Sequence, residues 1–68
     1  MSDQNPQIPI QLLTGTEVAR ILKVSRAYAY RLMKMGAIPT IRMGRTVRVS
    51  YENLLRFIEE STVDERVH

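Results

Sequence analysis

The feature that most constrains this chain is the distance between two helix signals in "LTGTEVARILKVSRAYAYRLMKMG". Thr14, with Glu17 three residues on, has capping-box spacing. Behind it, Val18, Ala19, Ile21 and Leu22 give an apolar face, and Glu17, Arg20 and Lys23 lie on the other side. Ser25 is the next cap, and only Lys23 and Val24 stand between it and the first helix. So short a connection forces a sharp angle between the two helices, which is the helix-turn-helix arrangement. The first helix spans about two turns, too short to persist alone in water, so it must pack on its neighbour.

The second helix is expected from about Arg26 to Met35, with Gly36 placed for a left-handed C-terminal cap. At about 100° per residue, Ala29, Leu32 and Met33 cluster on one side and turn inward. Ala27, Arg31 and Lys34 point away from that side. Arg26 and Tyr30 flank one edge, Tyr28 and Met35 the other. The outward face is therefore basic, with a small residue, Ala27, near its start that allows a surface to approach closely. For each tyrosine two readings stand side by side: partial core packing with a wet hydroxyl, or a ligand contact.

"AIPTIRMGRTVRVS" alternates apolar and polar residues on both sides of Gly44 and reads as two short strands. A two-residue turn at Gly44-Arg45 would pair Ile41 with Arg48. A three-residue loop, Gly44-Arg45-Thr46, would pair Met43 with Val47 and Ile41 with Val49, turning these four inward and Arg42 and Arg48 outward. Burial favours the three-residue loop, because a one-residue slip would bury charge. Arg45 sits at the tip in both. "SYENLLRFIEES" then reads as a third helix, capped by Ser50, with Tyr51, Leu54, Leu55 and Ile58 as its buried stripe and Phe57 at the edge. The expected organisation is a flexible N-terminal tail over 1–11 containing Pro6 and Pro9, a folded domain over 12–60, and a flexible acidic tail over 61–68.

The length, 68 residues, allows one small domain near the lower limit of independent folding. There is no cysteine, so no disulfide framework or thiolate metal site. The one histidine is the terminal His68, which leaves no His-ligated metal site. No carboxylate pair or phosphate-cradling glycine motif suggests catalysis, so no enzyme, cofactor or small-molecule ligand is expected. No apolar run can span a membrane and the first residues do not form a signal peptide, so a cytoplasmic protein, nucleoid-associated when bound, is expected. Net charge is +3, but its distribution says more. From Arg26 to Arg48 the charges are Arg26, Arg31, Lys34, Arg42, Arg45 and Arg48, with no acid among them. After Val49 they are mostly acidic. An all-basic middle segment suits a polyanion.

The ordered set "LT..EVA..L.VSR", "YRLM..G.IP", "R.GR..R" and "LL.FI", running from Leu12 to Ile58, resembles the excisionase-type small helix-turn-helix family, related to the DNA-binding domain of MerR-type regulators. The resemblance implies an α+β, mostly helical, winged helix-turn-helix fold with a two-stranded hairpin wing. It also implies double-stranded DNA as partner, the second helix in the major groove and the wing along the backbone or in the minor groove. Ser25, Arg26, Tyr30 and Arg31 match the family's recognition-helix positions, and Gly44, Arg45 and Arg48 its wing. Two departures, Lys23 where the family often has glycine and Ala29 where a β-branched residue is usual, point to a modestly stable domain.

The expected DNA-contacting set is Ser25, Arg26, Ala27, Tyr28, Tyr30, Arg31, Lys34, Arg42, Arg45 and Arg48. The expected role is that of a sequence-specific, excisionase-like architectural factor assisting site-specific recombination. A site-specific integrase or neighbouring copies on DNA are the further candidate partners. A small transcriptional regulator using the same domain at a promoter, and a protein-interaction module, are the alternatives.

Overall fold

The computed structural model describes residues 11–63. The elements run β1 (Leu12–Leu13), α1 (Gly15–Leu22), α2 (Arg26–Met35), β2 (Ile41–Met43), β3 (Thr46–Ser50) and α3 (Tyr51–Ser61). The expected tails, apart from Gln11 and residues 61–63, lie outside the described residues. Three helices and a small antiparallel sheet give the α+β, mostly helical, winged helix-turn-helix architecture that the family resemblance implied.

Local chemistry accounts for each boundary. The Thr14 hydroxyl accepts the Glu17 amide at 3.1 Å, while the Glu17 carboxylate accepts the Thr14 amide at 2.8 Å, closing the capping box of α1. Ser25 accepts the Tyr28 amide at 3.1 Å and Ser50 the Asn53 amide at 3.0 Å. Each such cap contributes about 1 kcal/mol, which matters in a domain this small. Both α1 and α2 end in a left-handed residue with a six-to-one hydrogen bond: Val24 amide to Ala19 carbonyl after Lys23, and Ala37 amide to Leu32 carbonyl after Gly36. Lys23 holds φ 60, the only non-glycine at positive φ among the described residues. A side chain in that conformation costs on the order of 1 kcal/mol.

The core is Leu13, Val18, Ala19, Ala29, Leu32, Met33, Ile38, Val49 and Leu54, with Leu22, Val24, Val47, Phe57 and Ile58 packed around it. Two of the nine are alanines, so the helices approach closely but bury little volume. Ile38 is fully buried just after the α2 cap and ties that helix to the sheet.

Three expectations need correction. First, the wing is part of a three-stranded sheet in the order β1-β3-β2, because Leu12 and Leu13 pair with Ser50 and Val49. The Gln11 carbonyl also accepts the Tyr51 amide at 2.7 Å. Two residues are too few to show an alternation in sequence, so β1 leaves no periodic signal.

Second, the hairpin register is that of the two-residue turn: Ile41 pairs with Arg48, Arg42 with Val47 and Met43 with Thr46. Gly44 has φ +63 and Arg45 does not share the positive sign, the sign pattern of a type II′ turn, which places glycine first. Directly paired residues share a face. Arg42 therefore lies on the same face as Val47 and Val49, while Arg48 shares the opposite face with Ile41 and Met43. Burial does not decide this register because the hairpin projects from the core: Ile41 and Met43 stay 36% and 48% exposed. Turn chemistry decides it instead.

Third, the buried stripe of α3 is Leu54 with Phe57 and Ile58 beside it, whereas Tyr51 and Leu55 stay 40% and 42% exposed. On α1, Ile21 likewise stays exposed while Val18 and Ala19 are buried.

Candidate nucleic-acid interface

The α2 helix is held from one side only. Ala29, Leu32 and Met33 are buried, and Arg26, Ala27, Tyr28, Tyr30, Arg31 and Lys34 are all exposed. The Ser25 cap uses the Tyr28 amide, so the first amides of the helix, at Arg26 and Ala27, point outward with no intrahelical partner. Ala27 keeps that end unobstructed.

Between α2 and the hairpin lies a cleft of about 370 Å³, lined by Tyr30, Met33, Lys34, Thr40, Arg42 and Val47. The two-residue register creates this grouping. It sets Arg42 on the inner face of the hairpin, toward α2, so that Lys34 and Arg42 line one space together with Tyr30. Among the described residues no acid lines the cleft. Of the acids on described residues, Glu17 is engaged in the α1 capping box, and Glu52, Glu59 and Glu60 lie on α3.

The sequence-predicted residues thus fall into groups. Ser25, Arg26, Ala27, Arg31 and Lys34 share the exposed length of α2, with Tyr30 and Lys34 also facing the cleft. Arg42 joins the cleft from β2 and Arg45 stands exposed at the hairpin tip. Tyr28, 49% exposed, sits on the edge of α2 opposite Tyr30. Arg48 stands apart: it lies on the outer face of the sheet, half-buried, and its guanidinium donates to the Val47 carbonyl at 2.9 Å. Sequence reasoning missed Thr40 and Met33 as cleft-lining residues. Both become visible only once the strand register is known.

Tyr30 packs where no sequence pattern would place it. Its ring lies over Gly15, the first residue of α1, and the glycine is buried beneath it. Tyr30 also lines the cleft and remains 48% exposed.

A wider groove of about 490 Å³ lies on the other side of the sheet, lined by Gln11, Ile41, Ser50, Tyr51, Glu52, Asn53 and Leu55. Among the described residues it carries an acid and no lysine or arginine, so the cationic chemistry belongs to the smaller cleft. No group of histidine, cysteine or acid side chains among the described residues could hold a metal ion. No helix among them is long and apolar enough to cross a membrane. What the cleft and the exposed face of α2 can do chemically is to hold an extended anion: they offer cations and hydroxyl donors, and no acid among the described residues lines them to repel phosphate.

Comparison with known proteins supports the helix-turn-helix architecture. A family profile described as a helix-turn-helix domain matches residues 12–62. Two proteins of Mycobacterium tuberculosis, Rv0500A of strain H37Rv and MT0521 of strain CDC 1551, each designated a candidate DNA-binding protein, are 38% identical over 61 residues, covering 90% of this chain and 78% of theirs. The uncharacterized protein YvgK of Bacillus subtilis is 46% identical over 44 residues, 65% of this chain but 14% of that protein. No solved structure matches the chain significantly.

Proposed function

The chain belongs to the helix-turn-helix domain family, and from that premise we propose that it binds double-stranded DNA, with α2 in the major groove and the β2–β3 hairpin on the adjoining backbone or minor groove. The observation that carries this reading is the cleft between the two elements, lined by no acid among the described residues, where Tyr30, Lys34 and Arg42 converge beside the exposed, basic face of α2. Arg31 and Lys34 are placed to reach base edges or phosphates, and a guanidinium on the exposed face matches the paired acceptors of guanine. Arg26 and the outward amides at the start of α2 suit a phosphate. Arg45, at the end of a projecting turn, follows phosphates or a narrow minor groove. The role is that of a binding protein, not an enzyme.

Within this reading the role is an excisionase-like architectural factor that assists site-specific recombination, supported by the motif set from Leu12 to Ile58. A promoter-binding regulator would use the same residues. An excision assay with a site-specific integrase, with and without this protein, separates the two. The exposed apolar residues Leu12, Ile41, Met43, Tyr51 and Leu55 are the observation that favours a protein-interaction module instead. That alternative predicts a co-purifying partner and no DNA binding at low salt.

The direct test is selection of bound duplexes from a random pool, followed by a salt titration on the selected site. With about four to six phosphates neutralised, log K against log salt should fall with a slope of about −4 to −5. A flat salt response would contradict the proposal.

A further inference from the structure

Gly15 is a helix-opening glycine that the backbone does not require. The described glycines at positive φ are Gly36 and Gly44, and Gly15 is not among them. Glycine is also a poor residue for a helix. The reason for it lies across the interface with α2. A β-carbon built on Gly15 would stand 2.9 Å from Tyr30 Cε2 and closer still to Cζ and Cε1. The atoms in conflict are the hydroxyl-bearing end of the ring, not a flexible tip that could swing aside at no cost.

We propose that Gly15 is a positioning residue for DNA recognition: its missing side chain seats the Tyr30 ring on the first turn of α1 and thereby fixes the phenol hydroxyl at the mouth of the α2–hairpin cleft, where it donates to a backbone phosphate. This rests on the DNA-binding reading of that face. The seat stiffens the hydroxyl in a way Tyr30 alone cannot. A methyl group at residue 15 would clash with the ring as it lies, so the ring must leave that seat, and the cleft it lines is one direction open to it. There it would take up the space beside Lys34 and Arg42 that the anion needs. The sequence hides this coupling, because fourteen residues, including the helix-turn-helix corner, separate the two positions.

The test is a set of four proteins: the natural chain, Gly15→Ala, Tyr30→Phe and the double variant, each bound to one selected duplex at fixed salt, with the folded fraction read by circular dichroism at the same temperature. Gly15→Ala should weaken binding about tenfold, the change that goes with losing one hydrogen bond to a charged acceptor. Tyr30→Phe should weaken it by a similar factor, and the double variant by no more than the larger single loss. A purely structural role for Gly15 would make the two losses multiply. Multiplied losses, or a Gly15→Ala protein that binds like the natural one, would overturn the assignment.

A thermal cycle with Tyr30→Ala reads the contact without DNA. Gly15→Ala should raise the melting temperature in the Tyr30→Ala background, where the space is free and alanine favours the helix, and lower it, or abolish folding, when Tyr30 is present. An equal rise in both backgrounds would mean that the ring is not seated on Gly15. Absence of DNA binding by the natural chain at low salt would remove the DNA reading and this assignment together. Natural binding with an additive affinity cycle would remove the Gly15 assignment alone.

Discussion

The α2 helix and the β2–β3 hairpin present cations to the same cleft, yet they are held in different ways. Three buried side chains, a serine cap and a left-handed glycine fix α2 along its whole length. The hairpin reaches the core through Val49 and partly through Val47, and all of β2 is exposed. One element is a rigid rod and the other an arm attached at its base. Base edges are read by hydrogen bonds of narrow geometry, which suit a rigid element. Phosphates are held by charge, which tolerates movement. On the proposed DNA-binding reading, the difference in anchoring gives discrimination to α2 and general affinity to the hairpin.

The comparison breaks most completely at the residue that joins the two. Ile38 is fully buried between the end of α2 and the start of β2. Ile38→Ala should cost about 2–5 kcal/mol of stability, and urea unfolding should show most of a small domain's margin gone. A loss under 1 kcal/mol would mean that helix and hairpin are not locked through this side chain.

The hairpin alone is loosened at its turn. Gly44→Ala places a β-carbon at φ +63, at a cost of about 1–2 kcal/mol. DNA affinity should fall on selected and scrambled duplexes alike, while circular dichroism of the helices stays nearly unchanged. Selective loss on the selected duplex would show that the hairpin, not α2, reads sequence.

The register sharpens the comparison further. Arg42 faces the cleft and Arg48 the outer side of the sheet. Arg42→Ala should weaken binding by about 1 kcal/mol and flatten the salt slope by about one unit. Arg48→Ala should change affinity less than twofold. The reverse order, measured by fluorescence anisotropy, would restore the three-residue loop.

The smallest effect concerns the corner behind α2. Lys23→Gly should relieve the left-handed strain and raise stability by about 0.5–1 kcal/mol, visible as a higher melting temperature. DNA affinity should not move, because Lys23 lies outside the α2–hairpin surface. A loss of stability would show that the Lys23 side chain makes a contact that outweighs its strain.

The helices were legible in the sequence because their signals are local and one-sided. Thr14, Ser25 and Ser50 cap where capping residues should, and Ala29, Leu32 and Met33 share a face that must be buried. The hairpin was not legible by the same logic. Pattern-based register assumes a buried face, and Ile41 and Met43 have none. The glycine at the first turn position was the better guide. The stripe of α3 slipped for a related reason: Tyr51 and Leu55 lie on a side that no other described element covers, so apolar character alone did not imply burial. The Gly15–Tyr30 contact carried no local signal at all, since it exists only once the corner is folded.

The measurement that tests the division of labour most directly sets Arg31→Ala against Arg45→Ala on two duplexes, one selected from a random pool and one scrambled. Arg31 stands on the exposed face of the rigid helix and Arg45 at the tip of the hairpin. Arg31→Ala should cost about 1–3 kcal/mol on the selected duplex and less on the scrambled one, so that discrimination falls. Arg45→Ala should weaken both by similar factors and flatten the salt slope by about one unit. Equal loss of discrimination from the two variants, or none from Arg31→Ala, would contradict the assignment of sequence reading to α2.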